Sequence, residues 1–492
     1  MVSPQYSLRF PRFDTIGNCL YIPILAYISC HSYSCHSPKW YPVIGSSGAV
    51  QKMAKIHGSQ WKGFSELAKE YSTQVLGLKL GSQLTVVVYG EKNVRQVFTG
   101  PEFEGRPDSF FLRLRSFGKR SGITSNDGPL WRQYRQFTMK QLRNVGFGKT
   151  EMEHEIRNQL INIITILSNT KCKPIQPNNI LAVAVMNTLW KFTAGESIKE
   201  ENLVHLLELL IARSKAFNMT GGLLNQLPWI RFLIPNLSGY DLIVNINKQI
   251  SDIIEEAIGR HKTKSVEGND FIYSFMEEMG KNTDLFTEEQ LKVICLDLII
   301  AGSQTTSNVL NFAILALLRN PIIQDRIYEE IRTTIGDKLP EWADTSRLIY
   351  TQAFLYEVHR YYTIVPLAGP RRVLETTSID GYTIPENSTI LISVGDVHGS
   401  TDIWEDPQKF QPERFINNEG LLQNTEHIYA FGSGRRRCPG DSLAKSFIFI
   451  ILAGIVQHFR IENINGVLPS DEQCIGIISS PKPHKAVFIQ RN

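Results

Sequence analysis

Residues 431–441 read FGSGRRRCPGD, and how Cys438 is understood within them decides the reading of the whole chain. Three arginines precede the cysteine, a Pro-Gly pair follows it, and the apolar run SLAKSFIFIILAGIV comes next. Pro439-Gly440 predicts a helix start, so its unpaired N–H groups and positive dipole end would face the sulfur and favour a thiolate. Arg435, Arg436 and Arg437 add positive charge, and Gly432, Gly434 and Gly440 permit tight backbone geometry beside the thiol. A buried free thiol is the plain alternative. A nucleophile is another, but it would want a histidine base, and no paired Cys/His motif is present.

The composition narrows the partners more than the fold. Of 492 residues, 42% are hydrophobic and 20% charged, with a net charge of +4. That describes a globular protein without the basic excess of a nucleic-acid binder, so no nucleic acid is expected and a small molecule or protein is the expected partner. Seven cysteines, at 19, 30, 35, 172, 295, 438 and 474, form no CxxC pair and no zinc-like spacing. A disulfide framework is therefore not expected, and the environment is read as reducing and cytosol-facing.

Along the chain, GFSELAKEYS reads as a helix, VLGLKLGSQLTVVVYG as two strands turned at Gly81-Ser82, and EKNVRQVFTG as a short helix. EFEGRPDSFFLRLRSFGKRSGI reads as a long loop. From Asp127 to Ile335 the pattern is helical, with breaks at CKPIQPNN, QLPWIRFLIPNLSG and SVEGND. Thr287 and Gln290 have capping-box spacing at the start of a helix that runs to Arg319, a rod of roughly 48 Å. Strands are expected at SIDGYTI and STILISVG, and the last apolar helix and a strand-like tail follow Cys438. The expectation is mainly α with minor β-sheets, in a single large domain.

A lone thiolate beside a planar aromatic and a cation suits the axial ligation of a haem, whose iron needs sulfur and whose propionates need a cation. Phe431, Gly434, Arg436, Cys438 and Gly440 reproduce F-x-x-G-x-R-x-C-x-G, and the chain from about residue 38 onward resembles the cytochrome P-450 family of haem-thiolate monooxygenases. The resemblance implies the family's fold as one haem-binding domain over 38–492, haem b (iron protoporphyrin IX) as cofactor, and Cys438 as the proximal iron ligand. Phe431 would pack near the haem and Arg436 would meet a propionate.

Further motifs occur in the family's order. Glu357 and Arg360 of EVHR, with Arg414 of QPERF, resemble its Glu-Arg-Arg structural triad, although alone they could be a surface pair worth only ~0.3–0.5 kcal/mol. Trp131 and Arg135 of WRQYR lie one helical turn apart, so an indole N–H and a guanidinium can address one anion. The resemblance makes that anion a haem propionate and gives Arg371 the same role. Within the long helix, AGSQTTS holds Gly302, which costs about 1 kcal/mol there and points to a close approach or a distortion. A hydroxyl one turn away would then bond outside the helix. Ala301, Gly302 and Thr305 match the family's oxygen-site pattern, with Thr305 assisting proton delivery. Gln304 departs from the usual Asp or Glu, so a water chain is expected in place of an acid.

The resemblance also implies insertion of one oxygen atom from dioxygen into a hydrophobic small molecule. No P-loop, GxGxxG or flavin-sized domain is visible. Electrons would therefore come from NADPH-cytochrome P-450 reductase, with a cytochrome b-type donor as an alternative. Arg132, Lys140, Arg435, Arg437 and Lys445 could form its basic docking face. Phe110, Phe111, Leu114, Phe217, Val365, Leu367 and Ile477 are candidate pocket residues. LPWIRFLIP, 227–235, would either dip into a membrane surface or pack inside.

Residues 1–37 carry TIGNCLYIPILAYISC, apolar enough for an anchor but interrupted by Asn18 and Pro23 and short of the ~20 residues that span a bilayer. No cleavage site marks a secretory signal. FEGRPDSFF, LRNVGFG and AGPRRVLETT resemble insect members of the animal microsomal branch related to methyl farnesoate epoxidase. That implies the cytosolic face of the endoplasmic reticulum membrane and a juvenile-hormone-type sesquiterpenoid. A haem-thiolate isomerase or dehydratase, which could dispense with Thr305, and a catalytically silent haem-binding protein, which would fit Gln304, are the alternatives.

Overall fold

Thr287 starts the longest helix as expected: its Oγ1 accepts the N–H of Gln290 at 3.2 Å, and Glu288–Arg319 runs for 32 residues. The reciprocal half of the capping box is replaced by a tertiary bond, because Gln290 Oε1 accepts the N–H of Gly122 at 3.3 Å. Asn320 ends the helix and Pro321 opens the next, Pro321–Thr334. In this computed structural model the described residues are 37–491, apart from 42–43, 199, 217–223, 225–226, 264–267 and 283. Residues 1–36, with the apolar targeting candidate, lie outside them.

Two glycines, one on the long helix and one on the helix after Cys438, let core helices pack closely. A Cβ on Gly302 would meet Leu189 Cδ2 at 2.5 Å, so helix Pro177–Ala194 lies directly against it. Likewise a Cβ on Gly454 would meet Leu160 at 2.4 Å, which seats helix Asp441–His458 on helix Thr150–Asn169. Both the long helix and Asp441–His458 are long and apolar enough to cross a membrane, yet most of each is buried in the protein. One hydrophobic cluster reaching from Ile123 to Phe488 includes them both. They are core helices.

A four-stranded sheet packs beside this helical body, in the order β1 (Val75–Leu80), β2 (Gln83–Val88), β6 (Thr389–Ser393), β3 (Leu367–Arg372). The β1–β2 hairpin turns at Gly81-Ser82, where Gly81 supplies φ +63°, as read from sequence. Strand β2 runs parallel to β6, with Val86 opposite Ile390, and β3 runs antiparallel to β6 with a shift of register between Ala368 and Arg371. The expected strands at 378–384 form a hairpin, β4 (Thr377–Ile379) with β5 (Tyr382–Ile384), and the tail pairs as β8 (Val487–Gln490) on β7 (Phe459–Glu462).

Two expectations need correction. The long loop read after Glu102 contains helix Phe110–Arg115, which Ser109 caps by accepting the N–H of Leu112. The break at 226–239 contains a short helix, Ile230–Leu233. Both are too short to show a hydrophobic period in sequence.

Candidate active site

The Cys438 loop is held by its own backbone. The N–H of Cys438 donates to Phe431 O at 2.9 Å, and Gly432 and Gly434 turn the chain at φ +65° and +68°. A Cβ on Gly434 would stand 2.2 Å from Phe98 O, so glycine is required there. Gly440 has an ordinary φ of −95°, and a Cβ there would stand 3.9 Å from the sulfur, an ordinary contact, so the tight geometry expected at this glycine is not required. The expected balance of charge at Cys438 is reversed: burial pushes the thiol up, with Asp441 adding to the effect. The Gly440 N–H, Arg135 and Arg437 pull the other way without prevailing. A coordinated cation would deprotonate it outright.

The scaffold behind the loop is one carboxylate wrapped by two guanidiniums. Arg360 Nε and Nη2 meet the two oxygens of Glu357 at 2.7 and 2.8 Å, and Arg414 Nε reaches Glu357 at 3.3 Å. Arg360 also donates to the carbonyls of His398, Pro407 and Lys409. The side chains of Glu357 and Arg360 are 0% and 1% exposed, which excludes a surface pair. Between them in sequence, His359 turns to the other side and meets Phe431 edge-on, with ring centroids 5.5 Å apart. Burial, with Lys445 nearby, pulls its pKa down to about 4.

Phe431, Arg436 and Cys438 share one cavity of about 520 Å³ with Ala301, Gln304, Thr305 and Arg371. Arg436 lies on the Trp131 ring, 3.5 Å from its centroid, and gives Nε–H to Glu104 O at 2.9 Å. Its Nη1 and Nη2 are buried and have no partner in the protein. Burial and then the Arg371 charge bring its pKa down to about 9. Arg371 donates to Phe103 O at 3.2 Å, and burial brings it to about 10. Arg135 donates to Arg437 O.

Arg106, which the sequence reading passed over, joins this cluster: it donates to Thr124 O and Pro370 O, and burial and then Arg371 and Arg436 hold its pKa well down. No local pattern marks Arg106 in the sequence. The pairing of Gly105 with Arg372, 267 positions apart, brings it to the cavity. Buried cations that repel one another and leave N–H groups unmatched call for an anion. A thiol and a set of buried cations lining one cavity fit a haem with its propionates. Trp131 is corrected in one respect: its indole N–H already donates to Ile123 O at 3.1 Å, so its face, rather than its N–H, serves the site.

On the opposite wall Thr305 Oγ1 donates to Ala301 O at 2.8 Å. The hydroxyl thus bonds within the helix and not outside it, and Gly302 answers to the approach of Leu189, with no distortion of the helix. Gln304 is half-buried on the cavity wall. Of the candidate pocket residues, Phe111, Val365, Leu367 and Ile477 line the cavity. Phe110 and Leu114 instead pack in a small cluster with Leu224 and Ile243, and Phe217 lies outside the described residues. Within 227–235, Trp229, Phe232, Leu233 and Ile234 are exposed, Phe232 by 73%, so the buried alternative for this segment does not hold.

Comparison with known proteins agrees with this geometry. A family model described as Cytochrome P450 matches residues 35–488. The chain is 40% identical over 471 residues to a protein named probable cytochrome P450 305a1 from Drosophila melanogaster, covering 92% of this chain and 94% of that one. It is 34% identical to farnesoate epoxidase from Bombyx mori, over 92% and 93% of the two chains. With cytochrome P450 2H1 from Gallus gallus it shares 30% identity over 96% and 97%. The fold, the thiol loop and these likenesses agree, and the chain belongs to the cytochrome P450 family, enzymes of the monooxygenase class.

Proposed function

We propose that this chain binds haem b through Cys438 and inserts one atom of dioxygen into a hydrophobic small molecule, by hydroxylation or epoxidation, with a sesquiterpenoid as the substrate class. The observation that carries this reading is that Cys438 and Thr305 line one cavity whose edge holds Arg436 with two buried, unpartnered N–H groups. When bound, haem supplies the dioxygen and electron-transfer chemistry that no side chain can. Arg436, Arg371, Arg106 and Arg135 would neutralise the propionates, and the Trp131 face would hold Arg436 in place. The small Ala301 side chain would leave space on the distal side, while Gly302 admits Leu189. Thr305 would hand on a proton through its hydroxyl, with Gln304 orienting water rather than acting as an acid.

The sesquiterpenoid class is supported by the likeness to a protein named farnesoate epoxidase and by the apolar lining from Phe111, Val365, Leu367 and Ile477. Arg132 and Arg435, each more than half exposed while sharing Glu104, support a basic docking face for NADPH-cytochrome P-450 reductase or a cytochrome b-type donor, with Lys140, Arg437 and Lys445. The exposed Trp229, Phe232, Leu233 and Leu237 support contact with a membrane surface, here the cytosolic face of the endoplasmic reticulum. Retention of Thr305 weighs against the isomerase, dehydratase and silent haem-binding alternatives. The test is the carbon monoxide difference spectrum of the reduced holoprotein beside Cys438→Ala. A strongly red-shifted Soret band lost in the variant is expected; a histidine-type band in the native protein would overturn the assignment.

A further inference from the structure

The long helix carries buried polar side chains on both sides of Thr305 that reach out of it to hold other parts of the cavity wall. Eight residues before Thr305, Asp297 accepts the N–H groups of Ile123 and Thr124 through Oδ2 at 2.9 Å each, and its Oδ1 meets Arg115 Nη1 at 3.3 Å. Three residues after Thr305, Asn308 donates Nδ2–H to Ser479 O at 3.0 Å. An asparagine gains little from a helix interior, so its use is sought in what it holds.

Ser479 is buried, and both of its backbone polar groups are taken. Its N–H donates to Ile364 O at 2.7 Å, just past the end of helix Ile349–Tyr362, and its C=O receives the Asn308 amide. The chain leading to it is fastened to the same helix, because the Tyr361 and Tyr362 hydroxyls donate to Asp471 at 2.9 and 3.1 Å. The two-residue strands Gln473–Cys474 and Ser480–Pro481 then close a hairpin whose arch carries Ile477 and Ile478, and both line the cavity. Ile477 also packs on the cluster that Phe111 and Leu114 form with Leu224 and Ile243. The arch is thus a piece of cavity wall, and Asn308 is its attachment to the helix that bears Thr305.

We propose, resting on the monooxygenase reading above, that Asn308 is a positioning residue that decides which carbon of the substrate is oxidised, by holding the Ile477–Ile478 wall in register with Thr305. Asn308 lies ~4.5 Å along the helix axis from Thr305, so the wall and the hydroxyl hang from adjacent turns of one rigid element. A substrate stopped by the two isoleucines is then placed relative to Thr305 through a single hydrogen bond. Without the Asn308 donor the buried Ser479 carbonyl is left unpaired, and the arch must shift to find water or another partner. A displacement of about 1 Å in the bound substrate is enough to change which carbon reacts.

Two measurements on the haem-loaded protein test this. In hydrogen exchange, Asn308→Leu, which keeps the volume and removes the donor, should speed exchange of the Ser479 amide at least about fivefold. With methyl farnesoate, NADPH and the reductase, the same variant should change the ratio of products oxidised at different carbons at least about threefold. Ile477→Ala/Ile478→Ala should also move that ratio, and adding Asn308→Leu to the alanine pair should move it little further, because Asn308 acts through that wall. The proposal is overturned by native exchange at Ser479 in Asn308→Leu, by a product ratio that Asn308→Leu leaves unmoved, or by a full Asn308→Leu effect on top of the alanine pair. Should Asn308→Leu fail to fold, the alanine pair decides, and an unmoved ratio there overturns the proposal. A histidine-type carbon monoxide spectrum with no oxidised product from the native protein would sink the monooxygenase reading and the choice of carbon with it, while the exchange at Ser479 still judges whether Asn308 holds the arch.

Discussion

Two places in the molecule hold the same charges, two guanidiniums and one buried carboxylate, and differ in what absorbs the surplus. At Glu357, Arg360 and Arg414 turn their remaining N–H groups to the carbonyls of His398, Glu405, Asp406, Pro407 and Lys409. At Asp297, Arg115 and Arg213 stand on a cavity wall instead. Backbone carbonyls close around both cations at Glu357, whereas Arg115 and Arg213, with Arg213 held by Arg115 O and Asn247, also border the cavity. Removing Glu357 leaves two buried guanidiniums without their carboxylate, so Glu357→Ala should destabilise at the upper end of ~3–5 kcal/mol in urea unfolding. Arg115→Gln leaves Asp297 its two backbone N–H bonds, and about 1–2 kcal/mol is expected. Equal losses in the two variants would break the comparison and make Asp297 a second scaffold.

The scaffold has a further property that the distal end lacks. His398 is 1% exposed; its Nε2 accepts the N–H of Tyr429 at 3.0 Å, which puts the ring proton on Nδ1, toward Thr363 Oγ1 at 2.9 Å. Burial, then the His359 and Arg360 charges, lower its pKa to about 3. Because the folded state resists the proton that the unfolded state takes up near pH 6.5, this contribution is whole above that pH and shrinks as pH falls. By pH 4 about 3 kcal/mol should be gone. His398→Asn should remove about half of the fall in stability between pH 6.5 and 4, because buried His359, whose pKa is about 4, keeps its own share, while Arg115→Gln should leave the slope unchanged. A native slope that persists in His398→Asn would place the acid sensitivity elsewhere.

How much of this was legible in sequence follows from how local each feature is. The Cys438 loop is one contiguous stretch, so the motif that carries the resemblance, with Phe431, Arg436 and Cys438, could be recognised in it. The long helix was legible because Thr287 caps it and Asn320-Pro321 ends it. The Glu357–Arg414 contact spans 57 positions and was found only through resemblance. Arg106, Arg115 and Arg213 had no such help. Each looks like a solvated basic residue until folding seals it in: Arg106 between Gly105 and Pro107, Arg115 at the end of a six-residue helix, and Arg213 on a helix whose apolar period says nothing of a polar partner. The Trp131 N–H was misread for the converse reason, since a carbonyl eight residues earlier, Ile123 O, was free to take it.

The smallest effect is expected at Gln304, where the distal wall departs from the family pattern. An amide can orient water but cannot give up and recover a proton, whereas a carboxyl group can do both. Gln304 neighbours Thr305, whose hydroxyl proton is directed to Ala301 O and whose oxygen remains able to accept from a water in the cavity. A carboxyl group at 304 would add a second proton source one residue away. Gln304→Glu should therefore raise the share of NADPH electrons that reach oxidised substrate rather than hydrogen peroxide, by about threefold or less, with substrate affinity unchanged. Its pH profile should gain a limb that the native enzyme lacks. If coupling stays constant and no limb appears, proton delivery does not pass through position 304, and Thr305 is served by water alone.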